Sequence, residues 1–284
     1  MMLLELEQAS YRYPNGGVGL EACSLAIRRG SRNALIGANG SGKTTLFQHC
    51  NGLLRPQSGV LRYAGTVLDY SRSGLRQLRS KVGLVFQNPD HQLFSASVQE
   101  DVSFGPFNLG LDEATVRRRV SAALDAVGMA GFAERAVHNL SFGQKKRVCI
   151  AGVLAMEPEL LVLDEPMAGL DHAMKTEFLA VLDGLHAQGI TLLLATHDID
   201  LAYRWADYIH LIDSGVCTAS LPAADLAYRD DALSALGLPL PTVVELQRRL
   251  TARGLLPKGL LPRTHSELLT LLDNTYDGKE APCC

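Results

Sequence analysis

The most chemically informative stretch of the sequence is residues 37–44, GANGSGKT, which match the pattern GxxxxGK[ST]. Glycines allow backbone N–H groups to wrap around phosphate oxygens, and a following helix N-terminus adds positive potential. Lys43 can neutralise the β- and γ-phosphates, and Thr44 can ligate magnesium. The context fits, because 33–37 predicts a buried strand and 45–52 predicts a helix. The predicted phosphate-binding residues are Asn39, Gly40, Ser41, Gly42, Lys43, Thr44 and Thr45.

Two adjacent carboxylates, Asp164 and Glu165, end an apolar run that begins at residue 160. A continuous apolar run is typical of a strand buried on both faces of a parallel sheet. An aspartate at the end of such a strand can hold magnesium, and the next carboxylate can polarise an attacking water. The pair means little alone, but together with Lys43 it indicates hydrolysis of a magnesium-bound nucleotide.

A helix-start signal lies shortly before these carboxylates. Ser141 and Gln144 form the spacing S-x-x-Q before an apolar helical run, which is typical of a capping box. A capping role alone explains the residues. The same helix tip presents free backbone N–H groups, which suit a γ-phosphate, so both interpretations can hold together.

Three further side chains are candidates because of their positions. Gln87 ends the apolar run 81–87, where a polar side chain can reach the metal and the nucleophilic water. His197 follows the apolar run 191–196 and is placed to touch a γ-phosphate. Tyr13 can stack on adenine. Taken alone, these residues have plainer interpretations as a turn residue, a structural histidine and a core aromatic.

Short apolar runs alternate with longer helical patterns, which predicts an α/β fold. Residues 3–13 and 20–27 alternate like antiparallel strands, and 208–213 followed by 216–219 predicts a strand, a turn and a second strand. Between 94 and 158 the pattern is mainly helical. After residue 220 prolines separate short helices up to about 272, and a polar tail follows.

The bulk composition excludes several classes of protein. The 284 residues are 47% hydrophobic and 20% charged, which is typical of a globular chain. A net charge of -3 argues against a nucleic-acid partner. The acidic start, MMLLELEQ, lacks a basic signal region, and no apolar run approaches the roughly 18 residues that cross a bilayer. The six scattered cysteines predict reduced thiols.

Together these motifs resemble a complete ATP-binding cassette (ABC) ATPase over about residues 3–220. In chain order the matched motifs are the A-loop aromatic (Tyr13), Walker A (37–44), the Q-loop (Gln87), the signature (140–144), Walker B (160–165), the D-loop (169–171) and the switch histidine (His197). The chain departs from the family's usual residues at Phe142, where glycine is common, and at Met167, where Thr or Ser is common.

The resemblance implies a P-loop NTPase (RecA-like) core with an antiparallel β subdomain and a helical ABC subdomain at about 94–158. It also implies a small C-terminal domain, 221–284, with a flexible tail. In the family this last domain helps hold two subunits together. A weakly packed appendage is the alternative.

The resemblance also assigns roles, with ATP and Mg²⁺ as cofactors. ATP lies between Walker A of one subunit and the signature of another, so a homodimer is the simplest functional unit, although two different ATPases stay possible. Glu165, His197 and Gln87 are then catalytic. The implied ATP contacts from the second copy are Ser141, Gly143 and Gln144. The implied magnesium ligands are Thr44, Gln87 and Asp164.

The Q-loop region, residues 86–111, with FQNPDHQ and EDVSFGPFNLGL, resembles the energy-coupling-factor type of importer ATPase. Residues 143–166 are most similar to the cobalt-importing members, whereas nickel or a vitamin as the substrate stays open. This resemblance implies a peripheral protein on the cytoplasmic face of the cell membrane. Its implied partners are a membrane scaffold subunit, contacted through the Q-loop region, and a membrane substrate-binding subunit.

Two other classes of protein share some of these motifs. Soluble ABC ATPases that act on nucleic acid usually carry a long coiled-coil insertion or two cassettes, and the sequence shows neither. A P-loop small-molecule kinase lacks the signature and the D-loop.

Overall fold

A computed structural model describes residues 1–276 of the chain, and its first layer is an antiparallel sheet. The sheet is built from β1 (Met2–Arg12), β2 (Val18–Arg28), β4 (Ser58–Tyr63) and β5 (Thr66–Val67). The strand order is β2-β1-β4-β5. The alternating apolar residues of the first two strands therefore form an antiparallel pair, as the sequence predicts.

The second layer is a six-stranded sheet that positions the site. Its strands are β3 (Arg32–Ile36), β6 (Val82–Val85), β7 (Leu160–Leu163), β8 (Thr191–Thr196), β9 (Tyr208–Asp213) and β10 (Val216–Pro222). They lie in the order β10-β9-β3-β8-β7-β6, and all neighbours are parallel except β9 and β10. The carboxyl ends of β3, β6, β7 and β8 therefore meet at one edge, which is where ligands bind in such sheets.

The central strands are buried on both faces, which explains their continuous apolar sequences. Along β7, Leu161 and Leu163 pack into one apolar cluster, and Leu160 and Val162 pack into the other. A strand alternates its side chains between faces, so neither face of β7 could carry polar residues without leaving them buried.

Helices cover this sheet and form an insertion beside it. The helices next to the sheet are α1 (Lys43–Cys50), α2 (Arg72–Lys81), α6 (His172–Ala187) and α7 (Ile199–Trp205). The predicted helical region contains α3 (Val98–Asn108), α4 (Glu113–Ala126) and α5 (Phe142–Leu154). Residues 155–159 connect the last of these to β7, so the insertion leads into the amino end of a central strand.

The C-terminal segment packs on the core through α8 (Asp230–Ala235), α9 (Thr242–Ala252) and α10 (His265–Tyr276). Val243, Val244 and Leu268 belong to the same apolar cluster as Tyr203 of α7. The Arg263 guanidinium also donates to the carbonyl oxygen of Tyr203, with Nε at 3.0 Å. The strand β10 continues past the predicted domain boundary at residue 220 and ends at Pro222. The boundary therefore falls within the last strand of the sheet.

Within residues 1–276, no helix is both long enough and apolar enough to cross a membrane. The predicted flexible tail, including Cys283 and Cys284, lies outside the described residues.

Candidate nucleotide site

The glycine-rich loop joins β3 to α1 in a conformation that requires glycine. Gly40 and Gly42 have φ values of 80° and 106°, in the left-handed region that other residues rarely adopt. A Cβ on Gly37 would lie 2.3 Å from the carbonyl oxygen of Ile212, and one on Gly42 would lie 2.7 Å from that of Gly19. The chain can therefore pass close to β9 and β2 at these two glycines.

Lys43 begins α1 and is folded over this loop. Its side chain is only 5% exposed, and its ammonium donates to the carbonyl oxygens of Gly37 at 2.8 Å and Ala38 at 2.9 Å. The same ammonium lies 3.5 Å from Oε1 of Glu165. The positive charge is therefore held above the loop, where the phosphates of a nucleotide would lie.

Thr44 and Asp164 bring two oxygen donors together at the centre of the site. The Thr44 hydroxyl donates to Oδ2 of Asp164 at 2.6 Å. Asp164 follows β7 and is buried, and this burial raises the pKa of its carboxyl group. Magnesium prefers hydroxyl and carboxylate oxygens, so this pair fits the metal that the motifs predict.

Glu165 lies beside this pair on a strained turn, with φ at 42°. Its Oε1 faces Lys43, and its Oε2 lies 3.7 Å from Nδ1 of His197. His197 comes directly after β8, and its side chain is 72% exposed, so it can reach a ligand from the open side. The strand ends thus bring the predicted base and the predicted switch histidine together.

A cavity of about 470 Å³ opens over Lys43, Thr44, Asp164 and Glu165. Tyr13 lies at its rim, where the phenol oxygen is 2.9 Å from the Thr45 hydroxyl. Gln87 lines it from the end of β6. Ser41 is buried beside the cavity, and its hydroxyl has no hydrogen-bond partner among the described residues. The lining residues are Tyr13, Val18, Asn39, Gly40, Gly42, Lys43, Thr44, Thr45, Gln87, Asp164 and Glu165. His197 is not among these lining residues and lines a neighbouring cavity with Glu165.

The predicted signature residues lie at a different place in the same chain. Ser141 caps α5, accepting from the Gln144 N–H at 3.3 Å, and the Ser141 N–H donates to the Gln144 amide oxygen at 2.9 Å. The predicted capping box is therefore confirmed. Ser141, Gly143 and Gln144 line a separate cavity of about 260 Å³ with Met174 and other residues. The two sets of lining residues share no member.

Sequence reasoning missed Lys146, which connects α5 to the turn after Glu165. Its ammonium donates to the carbonyl oxygens of Pro166 at 2.7 Å and Ala168 at 2.8 Å. Burial lowers the pKa of Lys146 to about 8. Helical spacing contained the signal, because Lys146 lies on the same face as the buried Cys149, Ile150 and Val153.

Comparison with known proteins decides the family. Residues 20–168, more than half of the chain, match the family model described as ABC transporter. The chain belongs to the ABC transporter family. This ABC protein is an ATPase of the P-loop NTPase fold, as its motifs predict.

Three relatives of this ABC protein carry more specific names. It is 46% identical over 267 residues to the cobalt import ATP-binding protein CbiO of Rhodobacter capsulatus, covering 94% of this chain and 95% of that protein. It is 43% identical over 272 residues to the energy-coupling factor transporter ATP-binding protein EcfA of Methanothermobacter thermautotrophicus, covering 95% and 88%.

The third relative is a solved structure, cbiO1 from Clostridium perfringens, described as part of the ABC transporter complex cbiONQ. The TM-score is 0.74 at 42% identity, over 87% of this chain and 99% of that one. The predicted resemblance to energy-coupling-factor and cobalt-importer ATPases is therefore confirmed.

Proposed function

We propose that this chain is the ATPase subunit of an energy-coupling-factor importer that takes up cobalt ion. The observation that carries the ATPase role is the meeting of Lys43, Thr44, Asp164 and Glu165 in one cavity. The likeness to relatives named for cobalt import and for energy-coupling factors supports the importer and its substrate. A nickel or vitamin importer would need the same groups here, because the cavity recognises only the nucleotide.

In this proposal each side chain of the cavity has a defined task. Lys43 leaves its loop carbonyls to neutralise the β- and γ-phosphates, and the loop N–H groups bind the remaining phosphate oxygens. Tyr13 stacks on adenine at the rim. Glu165 orients and polarises the attacking water, while His197 approaches the γ-phosphate and stabilises the charge that develops there.

Thr44, Asp164 and Gln87 are the residues that would hold magnesium. When bound, the ion neutralises charge on the β- and γ-phosphate oxygens. Burial raises the pKa of the Asp164 carboxyl group because the charged form is desolvated, and a bound cation would compensate the carboxylate charge there.

The separation of the signature residues supports a two-subunit mechanism. Within one chain, Ser141 and Gly143 are not among the residues that line the cavity containing Lys43. A second copy brings its own α5 N-terminus to this cavity, where free N–H groups face the γ-phosphate. Closure then requires ATP, and hydrolysis reopens the pair.

Exposed aromatic residues support a membrane partner near the Q-loop. Phe94 and Phe104 are 65% and 51% exposed, and their rings contact edge to face at 4.7 Å between centroids. Such apolar surface is typical of a docking site. We assign it to the membrane scaffold, and the proposed location of the ATPase is the cytoplasmic face of the membrane. A membrane substrate-binding subunit completes the complex, and the C-terminal segment adds contacts between the two ATPases.

Uptake measured in vesicles tests the assignment. The chain is purified together with the membrane proteins that bind it, the complex is reconstituted into vesicles, and ATP is supplied on the side of the ATPase. We expect ATP-dependent accumulation of cobalt that excess unlabelled cobalt competes away and that Lys43→Ala abolishes. Accumulation of nickel or of a vitamin, but not cobalt, would overturn the substrate. DNA-stimulated hydrolysis without any membrane companion would overturn the importer.

A further inference from the structure

A single buried lysine connects the two functional regions of each chain. Lys146 lies in α5, one turn after the Ser141 cap, and is only 2% exposed. Its ammonium is bound by two carbonyl oxygens of the turn that follows Glu165, those of Pro166 and Ala168. The helix that presents the signature is therefore bonded directly to the segment that presents the base.

The turn held by Lys146 fixes the backbone of Glu165. The Ala168 N–H donates to the carbonyl oxygen of Glu165 at 3.1 Å, which closes the turn on itself. Glu165 adopts a positive φ of 42°, a conformation that persists only when its surroundings impose it. Two bonds from one ammonium to this turn are such a constraint, so a shift of α5 is transmitted to the carboxylate.

Phe142 covers this connection from the outside. The Lys146 ammonium lies 5.0 Å from the centroid of the Phe142 ring, which suits a cation–π contact. The same ring packs against Gly169, where an added Cβ would lie 3.1 Å from the ring edge. The aromatic residue that replaces the family's usual glycine therefore shields the ammonium from water and contacts the D-loop.

Packing alone does not explain a lysine at this position. A buried ammonium is costly unless it is fully paired, and an apolar side chain of similar length would fill the same space. The carbonyls of Pro166 and Ala168 instead receive a charged donor, which forms the stronger kind of hydrogen bond. The residue type thus indicates a role in holding the turn.

We propose that Lys146 is a positioning residue that sets the Glu165 carboxylate relative to the signature helix of the same subunit. This inference rests on the proposed two-subunit arrangement. In such a dimer, Ser141 contacts the ATP of the partner while Glu165 acts on the chain's own ATP. Lys146 therefore joins the two ATP sites through one subunit, so that closure at one site adjusts the base at the other.

Mixed dimers with one working site test this role. One subunit carries Lys43→Ala, which leaves only the cavity of its partner active, and two affinity tags isolate the mixed pair. Lys146→Met is then placed either in the subunit that supplies Glu165 or in the one that supplies Ser141. Methionine keeps the apolar stem and removes the donors, and Lys145→Met, a neighbouring lysine that pairs with Asp90 at 2.7 Å, is the matched control.

In the Glu165-supplying subunit we expect Lys146→Met to lower kcat about tenfold while the Kd for ATP changes less than about twofold, because the base is displaced and the phosphate loop is intact. In the Ser141-supplying subunit we expect KM for ATP to rise about threefold with little change in kcat. Lys146→Gln, whose amide can donate two N–H groups, should restore most of the lost kcat.

Three results separate the possible failures. A kcat for Lys146→Met within about twofold of the Lys145→Met control overturns the positioning role. Equal losses of kcat in both placements, without recovery in Lys146→Gln, show a merely structural lysine and also overturn it. If the single-site dimer without a Lys146 change does not hydrolyse ATP, the proposed two-subunit function fails first and this inference fails with it.

Discussion

The nucleotide cavity and the signature region differ in how complete each one is within a single chain. In the cavity, Lys43 and Asp164 are each 5% exposed, and both already contact other groups of the site. In the signature region, Phe142 and Met174 are 42% and 40% exposed, and Ser141 is bonded to the helix that it caps. In the proposed mechanism the cavity already holds most of its catalytic groups within one chain, whereas the signature region acts only on the nucleotide of a second copy.

This difference follows from the chemistry proposed for each region. Groups that stabilise developing charge act best when their dipoles are fixed before the reaction, which requires burial and mutual support. A surface that must bind and release another subunit on each cycle has to stay accessible. The chain therefore buries the charged residues of the cavity beside the carboxyl ends of the strands and exposes the proposed recognition residues at the tip of α5.

The largest expected effect comes from Glu165→Gln, which changes the cavity and leaves the signature region as it is. The amide cannot polarise the water, so we expect kcat to fall by roughly 10²- to 10⁴-fold, the usual contribution of a general base. ATP binding should persist, because Lys43 and the loop are unchanged. Size-exclusion chromatography with ATP should show a stalled closed dimer. Hydrolysis at an unchanged rate would contradict the assignment of the base.

A moderate loss of folding stability is expected when the pH is lowered. The group responsible lies in the sheet under the cavity and not in the signature helix. His210 of β9 is bonded to Ser220 at 2.8 Å and to Asn33 at 3.2 Å, and burial lowers its pKa to about 4. Between pH 6.5 and 4 the unfolded chain binds a proton at this histidine and the folded chain does not. The free energy of unfolding therefore falls as the pH falls through this window, by about 2 kcal/mol between pH 7 and pH 5.

Urea denaturation at pH 7 and pH 5 measures this loss. His210→Gln serves as the control, because it removes the titrating group and keeps hydrogen-bonding capacity. We expect the variant to lose about 2 kcal/mol less than the natural chain between the two pH values. Equal losses in the two proteins would show that His210 does not titrate as its burial requires.

The sequence predicted the cavity far better than it predicted the connection between the regions. Strand ends such as 160–165 and 191–197 can be predicted because continuous apolar runs are typical of buried parallel strands. The residues that follow such strands lie at one edge of the sheet. The role of the glycines within residues 37–42 could be predicted because a side chain there would prevent the close approach of the backbone that the loop needs. For both the strand ends and the loop, neighbouring residues in the sequence are enough to predict where the functional groups lie.

The hydrogen bonds of Lys146 and the packing of the C-terminal segment could not be predicted from such local patterns. The bonds from Lys146 to Pro166 and Ala168 join residues that are distant in sequence, and their geometry depends on how α5 crosses the end of β7. The cluster that unites Val244 with Tyr203 depends likewise on tertiary packing. Periodicity shows which face of a helix is buried, but it does not show what the face meets.

A complementation experiment with mixed dimers tests most directly whether the cavity and the signature region of one chain serve different ATP molecules. Lys43→Ala inactivates a cavity, and Ser141→Arg blocks a signature tip with a bulky charged side chain. When the two changes are placed in separate subunits, one complete site remains, and we predict about half of the unmodified hydrolysis rate. When both changes are placed in the same subunit, both sites are broken, and we predict no hydrolysis above background. The opposite pattern, with activity only when both changes share one subunit, would contradict the account, because it would mean that each chain completes its own site.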